Sequence, residues 1–135
     1  MNRLAPRLST VAFFLGFFTC ALADAGTALP CSVAQSAFGT VELACPIAAD
    51  PQPQDVHFSV SFEGVHDDSS AALAARLDDA ALACAPGSRA RIQGEAEGDT
   101  VTCRMAIPPA AAARELRLRV VWFHAEPASS TLRRE

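Results

Sequence analysis

The chain has 135 residues, eleven of them arginine and five cysteine, with no lysine and no tyrosine. Its formal charge is −4, and without the two arginines of an N-terminal leader it becomes −6, fifteen carboxylates then facing nine arginines. A domain of that size and sign holds one core, lacks room for an interdomain cleft, and offers no electrostatic footprint for nucleic acid or an anionic lipid surface.

Residues 1–23 read as a signal peptide. Arg3 and Arg7 form a basic start, residues 8–22 are apolar, and Ala21 and Ala23 supply the small side chains a signal peptidase requires. The apolar run is shorter than the roughly 20 residues that cross a bilayer, and no later stretch is long enough to do so. Removal leaves 112 of the 135 residues, read as one β-rich domain over residues 24–126 and a disordered tail over residues 127–135.

From residue 40 to 45, Val41, Leu43 and Cys45 alternate with Thr40, Glu42 and Ala44, the pattern of a half-buried strand. Pro51 and Pro53 then make residues 50–55 a loop, since proline gives a sheet ladder no donor. Residues 56–62 are the clearest strand, with Val56, Phe58, Val60 and Phe62 on one face and His57, Ser59 and Ser61 on the other.

Residues 70–83 admit two readings. Alanine, leucine and arginine favour a helix with Leu73, Leu77 and Cys84 near one stripe. The alternative is two strands about an Asp78-Asp79 turn, with Leu73, Ala75 and Leu77 facing inward. Strands are preferred, because 28 alanines in the whole chain reduce the weight of alanine as a helix signal. The acidic, glycine-bounded stretch 94–99 then reads as a hairpin turn between residues 90–93 and a strand over 100–107. Pro109 and the alanines after it suggest one helical turn.

Residues 116–124 alternate as well, with Leu116, Leu118, Val120, Trp122 and His124 on one face. The opposite face carries Arg117, Arg119, Val121 and Phe123. A strand that becomes apolar on both faces is central to a sheet or covered on both sides. If uncovered, Val121 and Phe123 form an apolar patch beside Arg117 and Arg119 on which a protein partner can dock.

Without Cys20 in the leader, four cysteines remain: Cys31, Cys45, Cys84 and Cys103. No two are spaced as Cys-x-x-Cys, so an exported chain points to two disulfides rather than a zinc knuckle or a redox centre. Cys31–Cys45 and Cys84–Cys103 are the favoured pairs, and Cys45–Cys103 across two sheets is the competing one. The expected fold is a small antiparallel β-sandwich, with an immunoglobulin-like arrangement as one form of it.

His57, His66 and His124 are weak metal candidates, with Asp67 and Asp68 beside His66. No two histidines have ligand spacing, and no metal or cofactor is expected. The doublets Asp67-Asp68 and Asp78-Asp79 sit where turns are expected, and a turn aspartate bonds its own backbone. Nucleophile elbows, metalloprotease helices and phosphate-binding loops are missing from the sequence. The expectation is an exported non-enzymatic binding protein of the cell envelope or exterior, acting as an inhibitor or accessory subunit on another exported or envelope protein. A periplasmic metal or small-ligand binder using the three histidines is the alternative.

Overall fold

The computed structural model describes residues 27–135. The signal peptide read at residues 1–23 lies outside the described residues. Ten strands follow in chain order: β1 Thr27–Ala28, β2 Ser32–Ala37, β3 Thr40–Ile47, β4 Gln54–Glu63, β5 Ser70–Leu77, β6 Ala80–Leu82, β7 Arg91–Gln93, β8 Thr100–Ile107, β9 Arg114–Phe123 and β10 Glu126–Arg134. The protein is mainly β. One sheet has the order β1-β10-β4-β8, and the second the order β2-β3-β9-β5-β6, with β7 also paired to β5. Every pairing is antiparallel.

Alternation dictates the packing. Val56, Phe58, Val60 and Phe62 of β4 and Val101, Cys103, Met105 and Ile107 of β8 line the inner face of the first sheet. Val41, Leu43, Cys45 and Ile47 of β3, Leu73 and Leu77 of β5, and Leu116, Leu118 and Val120 of β9 line that of the second. These side chains form a single buried cluster, so the two sheets share one core. Each fully buried Val, Leu, Ile or Phe contributes about 1.5–3 kcal/mol of transfer free energy. At one end the Phe62 and Trp122 rings close the core between the sheets, with centroids 6.3 Å apart.

Residues 70–83 resolve as strands rather than a helix. β5 and β6 meet through Asp78 and Asp79, whose φ angles of 48° and 73° place both in the left-handed region of a two-residue hairpin. The Asp78 carboxylate accepts hydrogen bonds from the Glu115 backbone N–H (3.0 Å) and Arg114 Nε (3.0 Å), and the Asp78 N–H donates to the Glu115 carbonyl (3.0 Å). Turn chemistry thus explains this doublet, and Asp67-Asp68 also occupies a turn.

Both sequence-local disulfides form, Cys31–Cys45 and Cys84–Cys103. The first fastens the start of β2 to β3 within one sheet. The second joins the segment leaving β6 in one sheet to β8 in the other.

Four expectations need correction. Residues 127–135 are not a disordered tail. They supply β10, paired with β4 and β1 and burying Pro127, Ser130 and Leu132. Residues 90–93 are not the other arm of a hairpin with β8: β7 pairs with β5 in the opposite sheet, and Ile92 is buried there. The preceding segment runs along β8, with the Ala85 N–H bonded to the Arg104 carbonyl (2.7 Å) and the Thr102 N–H to the Arg89 carbonyl (2.8 Å). Residues 85–93 therefore pass from one sheet to the other, and the acidic stretch after them holds a short 3-10 turn, Glu95–Glu97. The alanines after Pro109 form no helical turn, and Ala110 instead makes an isolated bridge to Asp50. His124 does not continue the inward face of β9. It sits in the tight corner from β9 to β10, with φ 54°.

Candidate functional site

The second sheet turns its outer face to solvent. On β9 that face carries Arg117, Arg119, Val121 and Phe123, because Leu116, Leu118 and Val120 point into the core. No layer covers it among the described residues: Val121 is 41% and Phe123 58% exposed. Burial under a further layer, the alternative that the apolar ending of β9 suggested, does not occur among the described residues. β9 is central, flanked by β3 and β5. Its register places Thr40 and Ala72 on either side of Val121, and Ser70 beside Phe123.

Phe123 is held rather than free to swing. Its ring stacks on His124 with centroids 3.9 Å apart and planes 20° from parallel. His124 Nδ1–H donates to the Asp68 carboxylate (2.7 Å), and this hydrogen bond keeps the Asp68 carboxyl below its ordinary pKa. Ser69, almost wholly buried, fixes the same corner. Its hydroxyl accepts from the His66 N–H (2.8 Å) and donates to the His124 carbonyl. An exposed aromatic ring is thereby pinned by two loops, which lowers the ordering cost of a contact made through it.

The two arginines differ. Arg117 is bound to Glu115 (2.8 Å) and Glu42 (3.4 Å), and these carboxylates raise its pKa. It braces the sheet surface. Arg119 is exposed, between Glu42 on β3 and Ala74 on β5 in register.

The sequence reading missed Phe38. It occupies the turn from β2 to β3 and is fully exposed, and the Trp122 N–H to Gly39 carbonyl bond (2.9 Å) places that turn beside the end of β9. Gly39 is required there: φ is 77°, and a Cβ would lie 3.1 Å from the Trp122 carbonyl oxygen. The available clue was a phenylalanine directly before a turn glycine, an unusual place for a large apolar side chain.

The three histidines do not assemble. His57 lies on the outer face of the first sheet between Arg104 and Arg133, whereas His66 and His124 lie at the loop end. Among the described residues no group of three histidine, cysteine or acidic side chains is arranged to hold a metal ion. An open cleft of about 590 Å³ at the loop end is lined by Phe62, Val65, Glu63, Glu95 and Asp99, together with two glycines. Among the described residues its polar side chains are the carboxylates of Glu63, Glu95 and Asp99. Among the described residues no helix is long and apolar enough to cross a membrane. The chain matches no family model, and no curated protein matches it.

Proposed function

We propose that this protein is a non-enzymatic binding protein that works in the periplasm or outside the cell by contact with another exported or envelope protein, as an inhibitor or accessory subunit. The observation that carries this reading is the pinned, half-exposed Phe123 with Val121 on the uncovered outer face of β9. Large exposed apolar side chains in a contiguous group mark interaction surfaces, and aromatic anchors held in place dominate binding energy. The sulfur chemistry supports export, because disulfides persist in oxidising compartments and are rare in the cytosol. Arg119 stands at the rim, where a charge tunes association more than affinity.

The test compares the wild-type protein with a Val121→Ser, Phe123→Ser variant as bait in an envelope extract, followed by titration of the recovered protein in purified form. The reading expects one partner whose binding weakens at least tenfold with the variant. Equal binding by both baits, or turnover of a small substrate without a partner, overturns it.

A further inference from the structure

We infer that the outer face around Val121 and Phe123 takes an acidic protein segment, one that sets a carboxylate beside an aromatic or aliphatic side chain. This rests on the partner contact proposed above and gives that partner its chemistry. Register across the second sheet lays out the face. One row runs through Thr40 on β3, Val121 on β9, Ala72 on β5 and Arg91 on β7, and the next through Glu42, Arg119 and Ala74. Each alternates with buried residues of its own strand, so all share the outer side. Arg91 and Arg119 are exposed. Ala72 lies one strand spacing from Arg91, and Ala74 one from Arg119, about 4.8 Å in each case. The two methyl side chains sit lower than their flanks. A carboxylate placed over them lies within reach of both guanidinium groups, while its apolar neighbour meets Val121 and Phe123.

Charge selects the occupant. Carboxylates outnumber arginines in the chain, fifteen to eleven, and the other arginines of this sheet are neutralised. Arg76 holds Asp79, Arg114 holds Asp78, and Arg117 holds Glu115 and Glu42. Among the described residues Arg91 and Arg119 hold none. Carboxylates nearby are already engaged, Glu42 with Arg117 (3.4 Å) and Glu97 with the Gln93 N–H (2.8 Å). Two unneutralised guanidinium groups therefore flank an apolar patch on a protein of net charge −4. The planar fork of arginine matches a carboxylate, and arginine with aromatic residues dominates the energetic centres of protein interfaces. An acidic segment is repelled by the rest of this surface and steered to this face. A lipid surface or a polyphosphate presents negative charge over its whole area and would meet the same repulsion without an apolar group for Phe123.

The experiment selects random peptides displayed on phage against the folded protein with both disulfides intact. Peptides that combine aspartate or glutamate with an aromatic or aliphatic residue should be enriched. A synthetic copy of the best one should bind an Arg91→Glu, Arg119→Glu variant about tenfold more weakly at low salt, with the gap narrowing as salt is raised. Both side chains are exposed, so the variant should keep the wild-type melting temperature; Arg91→Gln with Arg119→Gln serves in its place if the glutamates disturb the fold. Enriched peptides that need Phe123 but carry no carboxylate, or that bind the charge-reversed variant equally well, overturn this inference and leave the partner contact standing. Failure to enrich any peptide that depends on Val121 and Phe123 overturns both. Binding to vesicles of anionic phospholipid that is lost in the charge-reversed variant overturns the assignment to a protein segment.

Discussion

Cys84 and Cys103 hold the two sheets together at one edge. Cys103 lies fully buried in β8, and Cys84, on the segment leaving β6 of the opposite sheet, reaches it with Cα atoms 5.1 Å apart. The loop they enclose contains the crossing segment 85–93, whose Ile92 is buried in the second sheet. Closing a loop of this size contributes about 3 kcal/mol in the chain-entropy model.

The two disulfides should therefore differ in effect. A Cys84→Ser, Cys103→Ser variant should lose about 3 kcal/mol of global stability, with faster amide exchange through residues 85–93. A Cys31→Ser, Cys45→Ser variant should release β2 from the sheet edge first. Denaturant unfolding with residue-resolved exchange checks both. Identical exchange maps for the two variants would contradict this division of roles.

His57 sets a pH dependence. Its register neighbours are Arg104 on β8 and Arg133 on β10, with Glu135 close by. Partial burial, followed by the charge of Arg133 and then that of Arg104, holds the His57 pKa below 6.5, and Glu135 opposes the shift. The buried Nδ1 has no hydrogen-bond partner among the described residues, which suits a neutral ring. Because the folded pKa is the lower one, the unfolded chain takes up the proton first as pH falls. Stability is thus complete above about 6.5 and is lost as pH drops from there to the folded value. The melting temperature should hold down to about pH 6.5 and fall as pH drops below it, and His57→Gln should flatten that part of the curve. An equally steep decline in the variant would assign the effect elsewhere.

What was legible in the sequence follows from burial. β3, β4, β8 and β9 each bury one face, so Val41, Phe58, Met105 and Leu118 recur at every second position and announce a strand. β2 buries neither face, and its residues carry no period to read. β10 was hidden because Ser130 and Arg134 share its inward face with Leu132, and Pro127 resembles a chain terminator. β7 was assigned to the wrong sheet because a glycine-bounded acidic stretch looks like a hairpin turn, and local sequence does not encode a crossing that depends on where Ile92 finds cover. At the candidate site, Val121 and Phe123 stood out through apolar character on both faces of β9. Their exposure is a property of the layer count, which no single strand specifies.

Asp78 is the anchor of the β5–β6 hairpin. The Glu115 N–H, then the Arg114 guanidinium, lower its pKa below 3.8. A carboxyl with a depressed folded pKa stabilises the fold above its unfolded pKa, and the contribution disappears as pH falls through the folded value. Asp78→Asn keeps an amide acceptor and tolerates φ 48°, whereas Asp78→Ala loses both bonds and places a Cβ in the left-handed region without compensation. The melting temperature should decrease in the order wild type, asparagine, alanine at neutral pH. The gap between wild type and asparagine should close in acid. Persistence of that gap below the folded pKa would show that geometry, not charge, makes the contribution.

Removal of residues 127–135 separates the observed fold most sharply from the expected tail. A disordered extension can be cut away without effect on the melting transition. β10 instead occupies an inner position between β1 and β4 and pairs with β4 from Glu126 to Arg134. Its loss would strip β1 from the sheet and leave β4 as a bare ten-residue edge with Phe58 and Val60 partly uncovered. Such an edge invites aggregation. A chain ending at residue 126 should lose cooperative unfolding and collect as insoluble protein. Leu132→Ala, which removes one side chain only 7% exposed, should stay folded at a cost of about 2–5 kcal/mol. Chemical denaturation of the point variant and circular dichroism of the truncated chain measure the two effects. A truncated chain that melts like the wild type would return these residues to the status of a tail and would leave β4 as the true edge of its sheet.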